Sequence, residues 1–227
     1  LLVVGADPSS CGVMAPPSRY GCDLVCGDIQ ALGMHMHYGG GLGGFIGCRD
    51  EERFVMEYPF RLFGIAETSV PGEWGFGDVA YSRTSFAQRE QGKEFVGTAA
   101  ALWGITAGVY LSLMGPKGMR ELGATIMQKS QYAAARLSEI PGVRAPALDA
   151  PHFKEFVVNF DGARCTVRKI NDHLLAQGIF GGHDLSGDFP ELGQSALYCV
   201  TELHTQEQLD RLVDAVSCAI EGGECRG

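Results

Sequence analysis

No apolar run in these 227 residues approaches the roughly 20 needed to span a bilayer, so the sequence predicts no membrane-spanning helix. Positive charge is also scarce. Lys and Arg total 18 against 27 Asp and Glu, a net charge of −9. Nothing here would neutralise phosphates along an extended face, which excludes nucleic acid as a partner. No C-x-x-C occurs among the eight cysteines, and the nearest pair, Cys22 and Cys26, has no second close pair to complete a zinc site. Several cysteines sit in apolar runs, such as Cys199 in Ala196-Leu-Tyr-Cys-Val. Free, reduced thiols and a cytoplasmic location are therefore expected.

What is present suits an ordinary globular chain: 45% hydrophobic and 20% charged residues, enough for a real core in one domain or two small ones. The chain opens on Leu1-Leu-Val-Val-Gly5, with no initiator Met and no basic region. That reads as a buried strand in an excerpt of a longer protein, not as a signal peptide. Further short apolar runs occur at Leu24–Cys26, Gly44–Cys48 and Phe54–Met56, as expected of strands covered on both faces. Glycine (32 residues) is concentrated in apparent turns at Gly39–Gly44 and Gly72–Gly77.

After the polar stretch Ser82–Glu94, the segment Thr98–Met114 is almost wholly apolar, so a helix there should be buried on most sides. Gly115-Pro116 then stops it and starts another. Met119, Leu122, Ile126, Ala133 and Leu137 form the stripe of that second helix. Beyond Pro141-Gly142 the pattern predicts strands at Phe153–Phe160 and Ala196–Thr201 and helices at Val167–Gln177 and Thr205–Ile220. Thr205-Gln-Glu-Gln208 has the form of a capping box. A large-domain remnant is placed at 1–115 and a small C-terminal domain at 116–227.

The candidate chemistry is thin. Gly39-Gly-Gly-Leu-Gly-Gly44 matches G-x-G-x-x-G, but a strand comes next where a dinucleotide site needs a helix. His35 and His37 could share one face of an extended segment, yet no third metal ligand is near. His183-Asp184 are adjacent and point apart in extended chain. The five lysines are Lys93, Lys117, Lys129, Lys154 and Lys169, and only Lys93 lies near the large-domain glycine loops, in polar surroundings. No convincing nucleophile emerges.

Two stretches carry a resemblance. Ala6-Asp-Pro-Ser with Ala15-Pro-Pro-Ser-Arg-Tyr-Gly-Cys-Asp-Leu-Val-Cys-Gly-Asp-Ile-Gln-Ala-Leu-Gly33 is one. Arg89-Glu90 with Thr98-Ala-Ala-Ala-Leu and Val109-Tyr-Leu-Ser-Leu-Met-Gly-Pro-Lys-Gly118 is the other. Together they resemble the glycine cleavage system P-protein family (glycine dehydrogenase, decarboxylating), in its subunit 1 form, from residue 1 to about 140. The resemblance implies an α/β, aspartate-aminotransferase-like, pyridoxal-phosphate transferase fold. This chain would be part of the large domain, with its mixed or parallel sheet and helices, plus a smaller C-terminal α/β domain.

In catalytic subunits of that family one strand ends in Asp-Gly-Ala-Asn, whose Asp holds the pyridine nitrogen. A second leads to His-Lys-Thr-Phe, whose Lys bonds the cofactor. On that pattern Val4 stands at the Asp, Asp7 at the Asn, Gln30 at the His and Ala31 at the Lys. The resemblance thus implies no catalytic, cofactor-binding or metal-binding residue here, Val4 and Ala31 being degenerate positions. Pyridoxal phosphate would sit on a sister subunit that decarboxylates glycine and passes the aminomethyl group to a lipoyl H-protein, within a heterotetramer. Arg89, Glu90 and Thr98 match by position and are candidates for an interface edge, although Gly92-Lys-Glu-Phe-Val-Gly97 departs from the family's Ala-Thr-Ser-Asn-Ile-Cys. The alternatives are another pyridoxal-phosphate-fold enzyme, a lyase or aminotransferase, and a non-catalytic scaffold descended from one.

Overall fold

The computed structural model describes residues 1–36, 42–94 and 100–222. It divides into two compact units, Leu1–Gly115 and Pro116–Gly227.

In the first unit, β1 (Val3–Gly5) lies parallel to β2 (Leu24–Asp28), and β3 (Gly44–Cys48) runs antiparallel along the other side of β2. The strand expected at the start therefore forms, but it is not buried: Leu1, Leu2 and Val3 are exposed, because β1 is an edge strand. A second expectation fails at Phe54–Met56. The residues Glu52–Val55 form the one-turn helix α1, with acidic Glu52 in its first turn and Arg53 over the Phe54 ring. Only Phe54 of that run is buried, so a two-sided strand was never required.

The glycines at 72–77 also read differently in three dimensions. β4 (Phe63–Glu67) and β5 (Trp74–Asp78) form an antiparallel hairpin, with Gly75 and Gly77 inside β5. Its turn is closed by Val70, by the Thr68 hydroxyl and by Gly72, which has φ +84°. Short helical turns come next, including α2 (Ser85–Gln88) and a 3₁₀ turn over Arg89–Gln91.

The helix α3 (Ala101–Ser138) is interrupted at Gly115, whose φ of 61° and ψ of −179° are non-helical, and it resumes at Pro116. The break falls where Gly-Pro predicts it, because proline has no N–H to continue the ladder. Before the break Ala107 is buried and the Tyr110 side chain lies against Gly33. Leu102, Ile105, Val109 and Leu113 face outward and are exposed, so this apolar helix is covered on one side, not on most sides.

The second unit is built around one closed core. The stripe of α3 supplies Ala133 and Leu137 to it, and Met119 and Ile126 of the same stripe are also buried, with Leu122 partly so. The strands β6 (Glu155–Asn159), β7 (His183–Asp184) and β8 (Ser195–Cys199) make an antiparallel sheet in the order β6-β8-β7. The helices α4 (Val167–Ala176) and α5 (Gln206–Glu221) bury Val167, Ile170, Leu174, Leu209, Val213 and Val216 in the same core as Phe156, Val158, Phe160 and Tyr198. The capping box at α5 is complete: Gln208 N donates to Thr205 Oγ1 (3.2 Å) and Thr205 N to Gln208 Oε1 (2.9 Å). Asp210 on α5 accepts from Arg136 of α3 at 2.9 Å.

One thiol departs from the expectation of free cysteines. Cys165 is disulfide-bonded, whereas Cys11, Cys22, Cys26, Cys48 and Cys218 carry free thiols. Cys165 sits in the core at 2% exposure, and its apolar setting gives the sequence no sign of an oxidised pair.

Candidate functional site

Parallel strands expose their carboxyl ends side by side, and in open α/β sheets ligands collect at that edge. Here the edge is made by β1 and β2. Val4 lies opposite Val25, and Gly5 opposite Cys26. The pairing runs one step further, with Ala6 N donating to Cys26 O at 2.8 Å. A Cβ on Gly27 would stand 2.1 Å from the Ala6 carbonyl oxygen, so only glycine lets the two strand exits run this close.

Beyond that edge the chain turns twice. After β1, Asp7 caps the 3₁₀ turn Pro8–Gly12: its Oδ1 accepts from Ser9 N (2.9 Å) and Ser9 Oγ (2.6 Å). After β2, Asp28 Oδ1 accepts from Gln30 N (3.0 Å), and Gln30 Nε2 donates to Met34 O (3.0 Å). Ala31 sits on the same turn, half-buried, as is Val4. The four positions singled out in the sequence, Val4, Asp7, Gln30 and Ala31, thus occupy the exits of two paired strands. The polar ones form local turns.

A pyridoxal-phosphate cofactor needs an amine to bond and a carboxylate at its ring nitrogen. Ala31 and Val4 offer neither, and the carboxylates at this edge, Asp7 and Asp28, accept hydrogen bonds from their own turns. The five lysines stand elsewhere. Lys93 pairs with Glu57 at 2.8 Å, Lys117 with Glu121 at 3.8 Å, and Lys129 donates to the Glu202 carbonyl. Lys169 lies on α4, and Lys154 immediately precedes β6.

Arg89 and Glu90 fall on an exposed 3₁₀ turn, Arg89 with φ 25°. Thr98 lies outside the described residues, as do His37 and Gly39–Gly41 of the glycine run. The glycine run leads into the strand β3 and not into the helix that a dinucleotide turn requires. Asp184 spends its carboxylate on Ser186, with Oδ1 accepting from its N (2.9 Å) and its Oγ (2.6 Å), and does not engage His183. Among the described residues no group of three or more His, Cys, Asp or Glu could hold a metal ion.

Nothing in the residue pattern marks Arg83 as buried. It is 3% exposed, and its Nη2 donates to Phe60 O at 2.5 Å, while Nε and Nη1 have no partner among the described residues. A lone arginine in a polar stretch carries no sign of burial. Nearby, the Ser85 hydroxyl and amide hold the Glu94 carboxyl below its ordinary value.

Two further hollows are structural. A cavity of about 370 Å³ in the first unit is lined by Leu24, Ile46, Phe54 and Tyr58, and burial together with Cys48 pushes the Tyr58 hydroxyl up to about 12. In the second unit a polar cleft of about 500 Å³ contains Asn159, Asp161 and Ser195. Asn159 Nδ2 donates to Asp161 Oδ2 (3.0 Å), and Gln194 N to Asp161 Oδ1 (2.9 Å), which together hold the Asp161 carboxyl below its ordinary value. Ser195 Oγ donates to Leu192 O at 2.6 Å and has no imidazole partner, so it is no nucleophile.

Known proteins resemble the chain along most of its length. A family model described as "Glycine cleavage system P-protein" matches residues 1–216. A probable glycine dehydrogenase (decarboxylating) subunit 1 from Staphylothermus marinus is 36% identical over 217 residues, 96% of this chain and 46% of that protein. Its counterpart from Saccharolobus islandicus is 37% identical over 224 residues, 99% of this chain and 47% of its own. The chain therefore spans about half the length of the curated relatives it matches.

Among solved structures, an inhibitor-bound glycine decarboxylase (P-protein) of the glycine cleavage system superposes with a TM-score of 0.83 at 32% identity. The match covers 96% of this chain and 48% of that one. A cysteine desulfurase from Escherichia coli matches with a TM-score of 0.59 at 17% identity, covering 96% of this chain and 51% of its own. That distant likeness speaks to the fold alone, the α/β fold of the pyridoxal-phosphate transferases.

Proposed function

The chain belongs to the glycine cleavage system P-protein family, and on that premise we propose that it is part of a subunit 1 of glycine dehydrogenase (decarboxylating). In this reading it is the subunit that holds no cofactor. Pyridoxal phosphate resides on a sister subunit 2, which decarboxylates glycine and hands the aminomethyl group to the lipoyl H-protein in the cytoplasm. The division at Gly115 separates a large-domain part from a small C-terminal domain.

The observation that carries this reading is the strand edge. Two exits are brought together by the Gly27 contact, and the side chains there are Val4 and Ala31, with Asp7 and Gln30 committed to their own turns. On the family pattern, Val4 and Ala31 stand where the groups that hold the cofactor would be. Such an edge supports a fold and an interface and moves no proton. Arg89, Glu90 and Thr98 are assigned to the interface edge on their positional match.

Borohydride reduction of the co-purified full-length subunits, then mass mapping of phosphopyridoxyl-lysine, tests the assignment. The label is expected on the companion chain only. A label on Lys93, or on any lysine of this chain, overturns it. Such a label favours the alternative of a catalyst in its own right, while recovery with neither companion nor label favours a scaffold.

A further inference from the structure

The hairpin β4–β5 separates its side chains by size. Antiparallel register puts Ile65 opposite Phe76, Glu67 opposite Trp74 and Phe63 opposite Asp78, all on one face. The other face carries only Gly64, Ala66, Gly75 and Gly77. The large face is not covered: Ile65, Trp74 and Phe76 are 69%, 68% and 73% exposed.

This face continues past the hairpin. Phe76 stacks on Phe63 with ring centroids 5.4 Å apart and planes 10° off parallel. The Arg61 guanidinium carbon lies 5.3 Å from the Phe63 ring centre and 4.1 Å from that of Phe86, which is itself exposed. Asp78 pairs with Arg61 and fixes it between the two rings. The result is one ladder, Phe76–Phe63–Arg61–Phe86, flanked by Ile65 and Trp74.

Large, stiff aromatic groups around an arginine are the composition of interface centres. A two-stranded ribbon is marginal by itself and does not keep such a face in water without cover. At roughly 150–250 Å² per aromatic side chain, the exposed part of the ladder amounts to on the order of 600 Å². That is most of the roughly 800 Å² each partner contributes to a standard interface. The Arg61–Asp78 pair leaves its centre electrically balanced, while Glu67 and Glu73 stand exposed at its turn end.

We propose that this ladder is the docking surface for the sister subunit, which meets it with an uncharged apolar patch bordered by Lys or Arg opposite Glu67 and Glu73. The proposal rests on the functional reading above and assigns that subunit's contact to named residues.

The test uses the full-length protein co-expressed with its sister and sedimentation velocity over a range of concentrations. Trp74→Glu and Phe76→Ser are each expected to weaken pairing by roughly 30-fold or more, chiefly through faster dissociation. The melting temperature of the lone full-length subunit should not change. Glu67→Lys is expected to slow association and reduce its salt dependence. Pairing unchanged in the ladder variants overturns the proposal. So does a fall of several degrees in the lone subunit's melting temperature with pairing intact, which would mean that its own chain covers the ladder. Loss of self-association with pairing intact assigns the face to a second copy and overturns it too. If the wild type does not pair with the sister, the functional reading falls and takes this proposal with it.

Discussion

The two units handle apolar surface in opposite ways. In Pro116–Gly227 the large side chains close on themselves: Phe160, Val158, Ile170, Leu174 and Val216 are each 0% exposed. In Leu1–Gly115 many large side chains are exposed, along the hairpin and along Leu102, Ile105, Val109 and Leu113 of α3. The second unit closes a core of its own, with isolated exceptions such as Phe180 and Leu203. The first carries large apolar side chains that no described residue of the unit covers.

This contrast can be broken by mutation, and the largest effect belongs to the closed core. Phe160→Ala should cost about 3–5 kcal/mol in chemical denaturation of the full-length protein, since it removes a fully enclosed ring and leaves a cavity. Phe76→Ser in the lone full-length subunit should cost within about 0.5 kcal/mol, because that ring is already in water. Equal costs would erase the distinction between the units.

Arg83 sharpens it from the other side. The first unit buries a cation whose Nε and Nη1 have no hydrogen-bond partner among the described residues. Arg83→Met should therefore raise the stability of the full-length protein by on the order of 1 kcal/mol, read as a shift of the denaturation midpoint. A loss of about 3 kcal/mol or more would show that the guanidinium is paired in the whole protein. Of similar or smaller size, Thr205→Ala should cost about 1 kcal/mol by removing half of the α5 capping box, with Thr205→Ser restoring most of it.

The smallest effect is a pH dependence. Asn159 and the Gln194 amide hold the folded-state Asp161 carboxyl below its ordinary value. Its stabilisation is fully present above the unfolded value and is lost as pH falls through the depressed folded one. Asp161→Asn should lower stability slightly near neutral pH, where the carboxylate's contacts are intact, and flatten the acid limb below about pH 4. An unaltered acid limb would show that the contact contributes nothing.

Much of the second unit was legible in the sequence, and for a definite reason. Its helices repeat at helical spacing around one core, so Leu209, Leu212, Val213 and Val216 announce their face, and Thr205 with Gln208 announces the helix start. Gly115-Pro116 marked the break in α3 because both residues act on their own backbone. The first unit was less legible. The glycines of β5 looked like a turn because a glycine face leaves no side-chain alternation to read. Phe54 looked like a strand residue because a run of three apolar residues has no period. The exposure of the α3 outer face could not be read at all, since an apolar helix does not say how much of it is covered.

Residue identity alone decides what chemistry positions 4 and 31 can offer. Position 4 is valine and position 31 is alanine, and no folding restores an amine or a carboxylate there. The family is legible at the same level, because the motifs around Asp7, Gln30 and Arg89 are local strings of residues. Packing in three dimensions was needed for the rest. It brings the two strand exits together through the close approach at Gly27, buries Arg83, and aligns Phe76, Phe63, Arg61 and Phe86 into one exposed face. Those are relations between residues distant along the chain. They are set by strand register and side-chain packing, which act through space and leave no local trace in the order of residues.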